Sequence, residues 1–121
     1  MNRTEESYAD WLDSRRPAVK AWWFEQITVV LPGGVRYTPD FLVQLVTDEL
    51  QFHEVKGRWE DDARVKMKVA ASIFPGRWFG VTVVPKRDGG GWSFEEFSPR
   101  GVEPVRESEV TLPLRLAEPG S

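Results

Sequence analysis

The chain has 121 residues, 40% hydrophobic and 12% aromatic, and a net charge of −3; that is enough apolar side chain for one core and too little length for two ordinary domains. With no cysteine and a single histidine, His53, it excludes disulfide frameworks, thiolate nucleophiles and Cys- or His-cluster metal sites, so any metal must be held by oxygen. No stretch approaches the ~20 apolar residues of a membrane span, and Met1 to Glu6 lack the apolar run of a signal peptide, so a soluble, intracellular protein is expected.

From Asn2 to Arg16, Tyr8, Trp11 and Leu12 fall at i, i+3, i+4, which predicts a first helix stopped by Pro17. Ala21-Trp22-Trp23-Phe24 leads into Ile27-Thr28-Val29-Val30-Leu31, whose β-branched content predicts a first strand ended by Pro32-Gly33-Gly34. The nearly continuous apolar run from Phe41 to Val46 predicts a second strand buried on both faces, with Thr47-Asp48-Glu49 as its turn. Leu50 to Lys56 reads as a third strand, in which period two puts Leu50, Phe52, Glu54 and Lys56 on one face.

A second helix is expected from the acids Glu60-Asp61-Asp62, which suit the positive end of its dipole, to Phe74. Ala63, Met67, Ala70, Ala71 and Phe74 form its apolar stripe, and Arg64, Lys68 and Ser72 share another face. Trp78 to Val84 and Trp92 to Phe97 complete the strands. The order α-β-β-β-α-β-β implies an α/β (α+β) fold, a central mixed sheet flanked by helices, over residues 1–97. Pro99, Pro104, Pro113 and Pro119, with one alternating stretch from Val110 to Leu116, mark 98–121 as an arm or tail.

Asp40 opens the second strand after Pro39, and Glu54 and Lys56 share a face of the third. An antiparallel hairpin about Thr47-Asp48-Glu49 makes positions 40 and 54 neighbours. Two adjacent carboxylates repel each other and lose hydration, a cost that a divalent cation offsets. Oxygen ligation suits Mg2+, with Mn2+ as substitute. Such an ion polarises a phosphoryl group and acidifies water, while Lys56 orients the water and stabilises growing negative charge, which points to phosphodiester hydrolysis. Gly57 reads as a place where backbone must approach something closely. His53 points away by strand alternation. Trp22 and Trp23 are assigned to packing or a dimer surface in preference to base stacking.

Taken together, Arg36-Tyr37-Thr38-Pro39-Asp40-Phe41, Phe52-His53-Glu54-Val55-Lys56-Gly57 and Asp61-Asp62-Ala63-Arg64-Val65-Lys66-Met67-Lys68 resemble the phage-type PD-(D/E)XK endonucleases, a group that includes Holliday junction resolvases. The resemblance covers roughly residues 2–97 and implies a restriction-endonuclease-like fold. It implies metal ligation by Asp40, Glu54 and the main chain of Val55, and a catalytic set of Glu5, Asp40, Glu54 and Lys56. Glu5 is preferred to Glu6, which helical geometry turns about 100° away. Arg64, Lys66 and Lys68 are its implied contacts to the DNA backbone, with Arg64 and Lys68 favoured because they share a face; Arg58 and Trp59 follow the active strand within reach of substrate, with core or interface packing the equal alternative for Trp59.

The activity implied is a metal-dependent DNA endonuclease cutting four-way junctions as a homodimer, because two symmetry-related strands must be nicked. The partner is branched DNA, with no membrane and no small-molecule cofactor, and the setting is the cytoplasm of a phage's bacterial host. A nicking or structure-specific endonuclease, a non-catalytic nucleic-acid binding module and a plain interaction protein are the alternatives. The net charge of −3 speaks against nucleic-acid binding, and the basic segment Lys56, Arg58, Arg64, Lys66 and Lys68 answers part of that objection.

Overall fold

The structure, a computed structural model, describes residues 1–57 and 61–112, Asp61 by its backbone alone. The chain is a mixed α+β protein built on one six-stranded sheet. Helix α1 spans Arg3–Ser14 and starts with a capping box, in which Asn2 and Glu5 exchange side-chain to main-chain hydrogen bonds. Strands β1 (Val19–Phe24), β2 (Val29–Val30), β3 (Arg36–Tyr37), β4 (Phe41–Leu45) and β5 (Leu50–Lys56) follow. Helix α2 (Asp61–Ile73) leads to β6 (Arg77–Val83), β7 (Trp92–Ser98) and β8 (Gly101–Val105), and a short turn of helix, α3 (Glu107–Val110), ends the described chain.

The sheet order is β1-β4-β5-β6-β7-β8. Only β5 and β6 run parallel, and α2 is the crossover that parallel neighbours require. Central β5 is buried from Gln51 to Val55 because helices cover both faces. On one face Tyr8, Ala9 and Leu12 of α1 pack on Phe41, Val43, Val55, Phe79 and Val81. On the other, Met67, Ala70 and Ala71 of α2 pack on Phe52, Trp78 and Phe97. Phe52 and Trp78 stack with centroids 4.1 Å apart. Gly76 (φ 100°) is needed beside this stack: a Cβ there would come within 3.0 Å of the Phe52 ring.

Two expectations are corrected. The strand expected at Ile27 to Leu31 forms earlier: Val19–Phe24 pairs antiparallel with β4, and only Val29–Val30 is extended, in a two-residue ribbon with Arg36–Tyr37. The aromatic run prevails over the β-branched run because strand preference is largely a packing preference; Trp22 and Phe24 both pack edge-on against Phe41. Nor is the chain after Phe97 simply an arm. Ser98 ends β7, and Gly101–Val105 adds the edge strand β8, where Pro104 is tolerated because its missing N–H faces outward. Val110 is fully buried in the α1-side core and its carbonyl accepts from Gln51 Nε2 at 2.8 Å. The rest of the expected alternating stretch lies largely in 113–121, outside the described residues. No helix among the described residues is long and apolar enough to cross a membrane.

Candidate active site

The β4–β5 hairpin has the register that the turn at Thr47-Asp48-Glu49 anticipates. Phe41 pairs with His53 and Leu42 with Phe52, so Asp40, one step further, arrives opposite Glu54. The two residues are tied through the main chain. Asp40 N–H donates to Glu54 Oε1 at 3.2 Å, and Val55 N–H donates to Asp40 Oδ2 at 2.8 Å. Tyr37 O–H also donates to Glu54 Oε1 at 3.1 Å, and Lys56 Nζ stands 3.1 Å from Glu54 Oε2. Val55 thus enters the site by its backbone while its side chain fills the core.

Burial, and next the Glu54 carboxylate, push the Asp40 carboxyl up to about 7, against the opposing pull of the Val55 N–H and Lys56. Burial alone would lower Lys56; Glu54 first, then Asp40 and Glu5, more than reverse it and hold the amine above its ordinary range. The surrounding carboxylates thus favour the charged form of the Lys56 amine. Burial and then Glu54 raise the Tyr37 phenol, which stays protonated as a donor.

Helix α1 brings Glu5 to the same end of the sheet. Oxygens of Glu5, Asp40 and a third residue, Glu25, lie within 4.8 Å of one another; Glu54 adjoins Asp40 outside that trio. Glu6 is exposed. Sequence reasoning missed Glu25. It follows β1 directly, adopts φ 50°, and donates its N–H to the Asp40 carbonyl at 2.8 Å. Its signal was an acid closing the Ala21-Trp22-Trp23-Phe24 run, hidden while the strand was placed downstream.

On the α2 side, Glu54 and Lys56 line a hollow of about 290 Å3 together with Arg36, Tyr37 and Lys66. Arg36 is a second residue that the sequence reading passed over. The basic residues of α2 lie in three different settings. Lys66 lines this hollow, Lys68 is exposed, and Arg64 is engaged with Glu95 at 2.8 Å and lies over the Phe97 ring. Arg58 and Trp59 lie outside the described residues. Gly57 meets nothing among the described residues within 4 Å of where a Cβ would stand, so no described neighbour requires a glycine there.

His53 is fully buried on the opposite face, between Tyr8 O–H at 2.5 Å and Gln51 Oε1 at 2.9 Å. Trp22 packs on Phe41 and donates to Asp13 Oδ1 at 2.8 Å, whereas Trp23 on the edge strand is 40% exposed. Comparison with family models, curated proteins and solved structures returns no match for the chain.

Proposed function

We propose that this chain is a divalent-metal-dependent DNA endonuclease of PD-(D/E)XK architecture, acting in the cytoplasm as a homodimer that cuts four-way junctions. One observation carries the reading: Asp40, Glu54 and Lys56 meet through the β4–β5 register and the Asp40–Val55 hydrogen bond, and α1 adds Glu5 beside Asp40. A solvated strand has no reason to bury two carboxylates, at 6% and 5% exposure, beside each other.

The donor set fits a hard divalent cation, because every side-chain candidate is a carboxylate and three lie within 4.8 Å. Asp40, Glu5 and Glu25 would hold it, with Glu54 alongside. Bound there, the ion would supply Lewis acidity at a phosphoryl oxygen and acidify water. The chain's own groups do the remaining work. The Val55 N–H fixes the Asp40 carboxylate, and Tyr37 and the Asp40 N–H fix Glu54. Lys56, held charged by its neighbours, donates to the phosphate oxygens and stabilises charge that grows in the transition state. Arg36 and Lys66 give the hollow beside it cations for the adjoining backbone.

The test is magnesium-dependent cleavage of a synthetic four-way junction beside a matched linear duplex. Junction-selective, symmetric nicking is expected. Equal rates on both substrates would replace the resolvase by a general nicking enzyme, and binding without cleavage would reduce the protein to a binding module.

A further inference from the structure

The first turn of α1 divides its side chains between two places. Glu5 turns to Asp40. Arg3, Thr4 and Ser7, on one stripe by helical spacing, line a separate hollow of about 360 Å3 with Lys86, Gly90 and Gly91. This hollow opens at the same end of the sheet as the acids. Val83, part of its lining, follows Thr82, and Thr82 pairs in parallel with Lys56. Neighbouring strands are about 4.8 Å apart, so the strand that contributes Val83 to the hollow runs one strand spacing from the Lys56 main chain.

Its lining is cationic and hydroxylic. None of its described lining residues is acidic in a chain of net charge −3; a hollow of about 480 Å3 at the other end of the sheet is lined by Glu96 and Glu103 together with Arg100. A guanidinium, an ammonium and two hydroxyls are donors suited to phosphate oxygens. Gly90 and Gly91 have φ 71° and 78° with nothing within 4 Å of a Cβ position, so one wall is bare backbone that a ligand can approach. The nuclease reading makes no use of any of these residues.

We infer that this hollow is a second phosphate subsite, taking a backbone phosphate of the same nucleic-acid strand whose scissile phosphate lies at Asp40 and Lys56. The inference rests on the nuclease reading and adds the path of the strand: from the Arg36–Lys66 hollow, across the end of β5, over the first turn of α1 to Arg3 and Lys86. Such contacts position the strand without reading its sequence.

The test is binding of a fluorescent duplex in calcium buffer, followed as salt rises from 50 to 200 mM in wild type, Arg3→Gln/Lys86→Gln and a control that removes two cations at the far end of the sheet, Lys20→Gln/Arg100→Gln. Each neutralised phosphate contributes about 0.9 to the log–log salt slope, so the first variant, which empties one phosphate subsite, should lose about 0.9 and the control nothing. An unchanged slope in Arg3→Gln/Lys86→Gln, or an equal loss in both variants, overturns the subsite and leaves the nuclease reading standing. A wild type that neither binds nor cleaves DNA overturns both. Thermal melts of all three proteins guard against misfolding, and because Arg3 and Lys86 are exposed the melts should coincide.

Discussion

Asp40 and Glu54 hold each other reciprocally: Glu54 Oε1 accepts the main-chain N–H of Asp40 at 3.2 Å, and Asp40 Oδ2 accepts the N–H of Val55, the residue after Glu54, at 2.8 Å. Each carboxylate is thereby oriented by the other strand's backbone. Neither can rotate away without leaving a buried N–H unpaired, which costs about 1–3 kcal/mol.

The stability of the apo protein should rise when Asp40 loses its charge. Its folded value near 7 lies above the unfolded 3.8, so between those values the folded state binds more protons and stability falls as pH rises. Asp40→Asn keeps an oxygen for the Val55 N–H and removes the charge. Urea denaturation at pH 8 should find it more stable than wild type by about 1–3 kcal/mol, the gain vanishing near pH 4. Metal-dependent cleavage should be lost. Wild-type stability at pH 8, or wild-type cleavage, would contradict the role given to Asp40.

Divalent ions should stabilise the protein through the Glu5, Glu25 and Asp40 carboxylates. At a hundredfold excess over Kd the gain is about 2.7 kcal/mol, and scanning calorimetry with Mg2+ or Mn2+ should show it as a higher Tm. Because Asp40 must be ionised to bind and titrates near 7, the metal concentration needed should rise roughly fivefold between pH 7 and pH 6. Glu25→Gln and Glu5→Gln should each raise it further; a Glu25→Gln protein with wild-type metal response would remove Glu25 from the ligand set.

Lys56→Ala should slow single-turnover cleavage by about 10²–10³-fold, the scale for removing one donor to transition-state charge. The amine remains charged across neutral pH, so the loss should be nearly constant from pH 6.5 to 8.5. A loss confined to one side of that range would mean that Lys56 acts as a titrating base.

His53 should contribute to the acid sensitivity of the fold from outside the site. Burial, and then Arg77, lower it to about 3 from an unfolded 6.5, so between those values the unfolded state binds more protons and stability drops as pH falls. His53→Gln should flatten this part of the pH–stability curve. It should also cost about 1–3 kcal/mol at pH 7, because Tyr8 O–H loses the ring nitrogen it bonds. An unchanged acid limb would place the sensitivity elsewhere.

Much of this arrangement is legible in local pattern. Alternation on Leu50 to Lys56, the tight turn at Thr47-Asp48-Glu49 and the apolar run from Phe41 are sufficient to bring Asp40 opposite Glu54, because hairpin register follows from the turn and period two assigns the faces. The apolar stripe on α2 likewise predicted Met67, Ala70 and Ala71 in the core. What needed the tertiary structure were pairings with no local cause. Whether Val19–Phe24 or Ile27 to Leu31 became the edge strand depended on which run could pack its rings against Phe41, and that choice moved Glu25 to Asp40. Pro104 lies in a strand only because β7 left it an outer edge. On α2, that Arg64 pairs with Glu95, 31 residues away, and that Lys66 lines the hollow beside Glu54 and Lys56, could not be read along the helix. Period and turn chemistry act over a few residues and can be read along the chain, whereas an ion pair or a ring contact between distant segments depends on how the sheet stacks its strands.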